Sequence, residues 1–148
     1  MKSLLAIIIS LGMLFLVGCS SNPNFIEIRN EYEFNKLLEN THKPLIIEFY
    51  CCRGDSLLEK QLSVLENEYR GKIVFARYNI KTLVFQVEEE KIRNFYNINY
   101  LPTVSMFIDK WEENRWVWTY SLETYRYEID RTLEGTQSRM TFLKRKLM

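Results

Sequence analysis

The sequence predicts a mixed α/β domain with helices covering a central sheet, and three observations predict it. Stretches with strand-like patterning take turns along the chain with stretches whose apolar residues recur every three to four positions. One strand, Leu45-Ile46-Ile47-Glu48-Phe49-Tyr50, is an almost unbroken apolar run, which suits a strand buried on both faces. The 47% hydrophobic and 14% aromatic content, with only five glycines and three prolines, supplies a packed core and argues against disorder.

Each element has its own justification. Phe25 to Arg29 alternates apolar and polar like a half-buried strand. Asn30 then offers an N-cap with Glu33 three residues on, and Phe34, Leu37 and Leu38 fall on one helical face. After the Leu45 to Tyr50 strand, Ser56 and Glu59 form a second capping box. The helix it opens lines up Leu58, Leu62, Leu65 and Tyr69, and Gly71 closes it. Lys72 to Ile80 is rich in β-branched and aromatic residues, as a strand should be. Thr82 to Asn97 reads as a helix ending near Asn97. Val104 to Ile108 and Trp116 to Tyr120 read as a hairpin joined by a charged turn from Asp109 to Arg115. Ser121 caps a last helix carrying Leu122, Tyr125, Ile129 and Leu133, closed by Gly135. The order is strand, helix, strand, helix, strand, helix, strand, strand, helix, a three-layer sandwich.

Composition removes many functions. The chain has 148 residues, 20 basic and 19 acidic side chains and a net charge of +1, so no basic face invites nucleic acid. One histidine, His42, is too few for a multi-histidine metal centre, and three cysteines are too few for a structural zinc site. No metal and no cofactor is expected; cysteine and carboxylate chemistry remain.

The first residues are read apart from the fold. Lys2, an apolar run from Leu4 to Val17 and the sequence Leu16-Val17-Gly18-Cys19 form a secretory signal that is short of the ~20 residues a membrane-spanning helix needs. The end of this segment resembles the bacterial lipobox. That resemblance implies a signal peptide over residues 1–18 and lipidation of Cys19; the residues that follow read as a short polar tether over 19–24, a domain over 25–135 and a basic tail over 136–148. It places the domain in the bacterial cell envelope, on the extracytoplasmic face, held to the membrane by lipid, where disulfides persist. An ordinary signal cleaved near Gly18, or a non-cleaved anchor, is the alternative. The tail, with Arg139, Lys144, Arg145 and Lys146 beside Met140, Phe142, Leu143 and Leu147, reads as a frayed helix end or as a basic segment on the membrane surface.

Cys51 and Cys52 remain, and they are adjacent. A relaxed disulfide prefers a Cα separation of about 5.5 Å, more than the roughly 3.8 Å between neighbours, so the pair is not an ordinary staple.

The element order, with LIIEFYCCRGDSLLEKQLSVLENEY and, some fifty residues on, INYLPTVSMF, resembles the thioredoxin family. The resemblance covers roughly Phe25 to Leu133. It implies a thioredoxin-like fold, a cis peptide before Pro102 facing the redox cysteine and Cys52 as nucleophile; Cys51 fills the family's tryptophan position and offers a second thiol, beside an external thiol or another protein, to resolve an adduct. Glu48 stands where the family has a buried aspartate, and Arg77 where it often has a lysine. Arg53, Thr103 and Arg77 are the binding residues expected around the site. The loop departs from the family: Cys52-Arg53-Gly54-Asp55 puts Asp55 where the resolving cysteine belongs. Arg53 and the following helix N-terminus favour a Cys52 thiolate, whereas Asp55 opposes it. Glu48, if buried, is suited to move the proton. The reading is thiol-disulfide exchange on envelope proteins or with a redox partner protein; the alternative is a non-catalytic binding or adaptor module. Plainer readings stand beside these: the cysteines as small residues at a strand end, Glu48 as a half-exposed strand residue, Arg53-Gly54-Asp55 as a turn, and Trp111, Trp116 and Trp118 as hairpin packing or a partner surface.

Overall fold

A computed structural model describes residues 24–51, 55–80 and 92–147. The signal segment, Cys19 and most of the tether lie outside the described residues, as do Cys52, Arg53, Gly54 and the first part of the Thr82 to Asn97 helix.

The described elements are β1 (Ile26–Ile28), α1 (Glu31–Asn40), β2 (Leu45–Tyr50), α2 (Ser56–Glu68), β3 (Val74–Asn79), a helical turn over 92–95, β4 (Thr103–Ile108), β5 (Trp111–Val117) and α3 (Leu122–Leu147). The strands form one mixed sheet in the order β1-β3-β2-β4-β5. β1 and β2 both run parallel to β3, while β4 is antiparallel to β2 and β5. β2 is therefore central, which is why its sequence shows no polar alternation.

The pleat sorts the core into two layers. Leu45, Ile47 and Phe49 join Phe34 and Leu38 of α1, with Tyr78 and Phe107, in one cluster. Ile46, Val104 and Met106 join Leu58, Leu62 and Leu65 of α2, with Tyr125 and Ile129 of α3, in the other. Glu48 points into the second layer, because it alternates with Phe49 and shares the face of Ile46.

Local chemistry explains the ends. Asn30 Oδ1 accepts from the Glu33 backbone N–H at 2.9 Å, as the capping box predicts. Gly71 closes the α2 region with φ 79°, a conformation glycine adopts at little cost. Ser121 Oγ accepts from the Thr124 backbone N–H at 3.2 Å and so caps α3.

Three expectations need correction. The cap of α2 is Asp55, whose Oδ1 accepts from the Leu57 backbone N–H at 2.9 Å; Ser56 is already helical. Two good cap residues stand side by side, and the first takes the place. The hairpin turn is shorter than Asp109 to Arg115. The chain reverses at Asp109 and Lys110 alone, with φ of 49° and 74°, and the charged residues that follow belong to β5, an edge strand that tolerates them. Gly135 does not end α3, which runs on to Leu147. A single glycine costs a helix interior only about 1 kcal/mol, and the Thr132 and Thr136 hydroxyls either side of it bond back to the carbonyls of Glu128 and Thr132. The segment after Gly135 is thus helical.

Candidate functional site

Registry decides what the carboxyl end of β2 meets. β2 pairs with β4 so that Phe49 lies opposite Thr103 and Glu48 opposite Val104. Continuing that antiparallel register by two positions sets Cys51 across from Leu101, beside the Leu101-Pro102 peptide, which is cis as the resemblance implies. Cys51 is half-buried and immediately follows β2. Asp55 follows the loop and opens α2. Cys51, Asp55 and Pro102 therefore gather at one end of the sheet; Cys52 and Arg53 lie between the first two in sequence, outside the described residues.

Beneath this end lies a charged pair. Glu48 is 1% exposed, and its Oε2 accepts from Arg77 Nε at 2.7 Å. The two residues are register partners on neighbouring parallel strands, so the sheet itself sets them side by side. Arg77 also donates to Glu59 Oε1 of α2 at 3.0 Å and stacks over Tyr50, its guanidinium carbon 4.7 Å from the ring centroid. Glu48 Oε1 is buried and finds no hydrogen-bond partner among the described residues. Burial pushes the Glu48 carboxyl above its ordinary value of 4.5, and the Arg77 guanidinium only partly opposes it. Glu48 is thus a buried acid and not a half-exposed strand residue.

At the rim the balance is reversed. Asp55 Oδ2 accepts from Thr119 Oγ1 at 2.6 Å while Oδ1 caps α2, and these hydrogen bonds hold its carboxyl below the ordinary value of 3.8. Asp55 is committed to structure, joining the start of α2 to the segment before α3. Tyr125 is fully buried nearby and stacks edge-on against Trp116; burial pushes its hydroxyl up to about 12, so it stays protonated.

The other expected residues have clear places. Thr103 is buried, and its hydroxyl donates to the Tyr100 carbonyl at 2.6 Å, so it fixes the turn before β4. The Pro102 carbonyl accepts from the Trp118 backbone N–H at 3.1 Å. Of the three tryptophans only Trp116 is core; Trp118 stands exposed against Tyr100 beside Pro102, and Trp111 is exposed at the opposite end of the sheet. Glu59, Thr119 and Tyr125 complete the site and were not singled out for it from sequence. Among the described residues no group of three or more His, Cys, Asp or Glu is placed to hold a metal ion.

Comparison with known proteins agrees with this geometry. No protein-family model matches the chain. The chain is 30% identical over 97 residues to protein disulfide-isomerase A5 of Mus musculus and 28% identical over 97 residues to that of Bos taurus. These matches cover 64% of this chain but only 17% of either relative. The crystal structure of oxidized thioredoxin O2 from Arabidopsis thaliana superposes with a TM-score of 0.59 at 17% identity, covering 74% of this chain and 94% of that one. With a mixed five-stranded sheet, a buried acid under the end of β2 and a cis Leu101-Pro102 peptide beside Cys51, the chain has a thioredoxin-like fold.

Proposed function

We propose that this chain is a membrane-anchored, extracytoplasmic thiol-disulfide exchange protein that acts on envelope proteins through Cys52. The observation that carries the reading is Glu48: a carboxyl buried beneath the cysteine end of β2, with one oxygen on Arg77, the other without a hydrogen-bond partner among the described residues, and a raised pKa. A thiol must lose its proton to attack and a departing client sulfur must gain one, and a shielded acid of raised pKa suits both transfers. The similarity to proteins named disulfide isomerases supports the same chemistry.

In this reading the Cys52 thiolate attacks one sulfur of a client disulfide. The client S–S bond breaks, a Cys52–client bond forms, and the departing sulfur takes up a proton. Asp55 offers no thiol to resolve the adduct, and attack by Cys51 would produce a strained disulfide between neighbours. An external thiol therefore attacks Cys52, freeing the client as a dithiol. A second external thiol then returns Cys52 to the reduced form and leaves as a disulfide with the first. The attachment to membrane is through lipid on Cys19.

The test is capture of adducts. Cys52→Ser should abolish mixed disulfides with envelope proteins on non-reducing gels, and an unchanged set of adducts would overturn the reading. The commitment of Asp55 to the helix cap favours a second reading, a binding module without turnover. That reading requires that Cys51→Ser with Cys52→Ser leave the partner set intact, while changes at Tyr100 or Trp118 damage it.

A further inference from the structure

We propose that the portion of α3 beyond Leu133 is a docking face for an anionic membrane surface. The inference rests on the membrane placement above and not on the thiol chemistry. Along α3, Leu122, Tyr125, Ile129 and Leu133 make a stripe that packs into the second core layer. Met140 and Leu143 continue that stripe at helical spacing, yet they are 48% and 54% exposed, and Phe142 is 66% exposed. The helix therefore presents an apolar face after the domain that covers it has ended.

Charge selects the occupant. Residues 135–148 carry Arg139, Lys144, Arg145 and Lys146 and no acid, and these four leave the rest of the chain with more acids than bases. A second copy laid along this face would bring cations against cations. An anionic lipid surface meets both features, taking the apolar side chains between headgroups and the cations against phosphate. No described helix is long and apolar enough to cross a membrane, so the segment lies on the surface.

Placement supports this. Thr119 touches Asp55 at the start of α2, whereas Asp130 accepts from Tyr69 and Arg126 pairs with Glu68 just at its end. α2 and α3 thus run the same way, and α3 passes the end of α2 and continues for about 20 Å at 1.5 Å per residue. Arg139 is steadied there by Glu113, the extra residue at the register shift of β5, at 2.7 Å. The chain enters at that same end: the Asn24 backbone N–H helps hold the carboxyl of Glu66, in the last turn of α2, below its ordinary value. A tether from Cys19 would leave beside the basic extension, and Cys51, Asp55 and Pro102 stand at the opposite end of the sheet. Docking would hold the thiol site away from the bilayer.

The experiment uses the full acylated chain on vesicles of phosphatidylcholine alone or mixed with phosphatidylglycerol. Flotation with the neutral vesicles reads the anchor; trypsin cleavage after Arg139 reads the dock. Cleavage should slow by about tenfold or more on the anionic vesicles alone, and high salt should abolish the difference. Replacing Lys144, Arg145 and Lys146 by Gln, or Met140 and Leu143 by Ser, should restore rapid cleavage. Equal rates on the two vesicles would overturn the proposal, as would protection without vesicles that grows with protein concentration, the mark of a second copy. If the chain fails to float with neutral vesicles, the anchor has failed; flotation with anionic vesicles that the Gln variant loses still decides the dock.

Discussion

Two carboxylates bracket residues 52–54, and the fold treats them in opposite ways. Glu48 is sealed under the sheet end, where burial pushes its pKa up against the pull of Arg77. Asp55 stands at the surface, where Thr119 and the Leu57 N–H hold its pKa down. Environments that drive two acids apart assign their roles: the buried one can hold and release a proton, and the exposed one stays an anion that caps a helix. The Asp55 cap at the rim and the Glu48–Arg77 pair beneath it are thus two separate charged arrangements at one end of the sheet.

The sharpest way to break this contrast is to remove the cation under Glu48. Arg77→Met should cost about 3 to 5 kcal/mol at neutral pH, because it leaves a buried carboxylate uncompensated. The loss should shrink as pH falls, since Glu48 can then take a proton and cease to be a buried charge. Urea unfolding at neutral and mildly acidic pH measures both; an equal loss at the two would show that the partner of Arg77 that matters is Glu59 and not Glu48.

The burial of Glu48 marks the limit of what the sequence discloses. The apolar run of β2 announces a central strand, and its flanks Ile47 and Phe49 are as buried as expected. In such a run a lone acid has no alternation to assign it a side, and Arg77 is 29 residues away, brought alongside by strand pairing alone. Short-range signals fare better: Asn30 with Glu33, and the Leu58, Leu62, Leu65 face, depend on neighbours in the same element. Local signals mislead where two of them compete. Asp55 and Ser56 both suit a cap, and Gly135 looks like a helix end although packing through Leu133 carries α3 past it. Thr119 and Tyr125 could not be tied to the site, because nothing local links them to Asp55, which lies 64 residues before Thr119.

A smaller effect follows from removing the proton site itself. Glu48→Gln should slow disulfide exchange by roughly a hundredfold, within the usual range for a positioned acid or base. It should also change how stability depends on pH. A carboxyl whose folded pKa lies above its ordinary 4.5 favours the native state at low pH, and that benefit is lost as pH rises through the raised value. The Gln variant should therefore show a flatter stability curve across that interval, measured by denaturant midpoints over a pH series. A curve of unchanged shape would remove Glu48 from the role of proton holder.

The mildest change tests the other half of the contrast. Thr119→Val deletes the hydroxyl that donates to Asp55 Oδ2, and leaves the bond from Leu57 in place. The Asp55 titration, followed by NMR, should move up toward 3.8 without reaching it. A depressed carboxyl stabilises the fold above its ordinary pKa and loses that contribution as pH falls through the depressed one, so the variant should weaken the protein at neutral pH, and the difference should fade in acid. Asp55→Asn sharpens the point, because asparagine caps a helix about as well as aspartate while carrying no charge. The helix should persist, and exchange through Cys52 should alter far less than in Glu48→Gln. If Asn at position 55 slowed exchange as much as Gln at position 48, the rim carboxylate would belong to the chemistry, and its task would no longer be the cap alone.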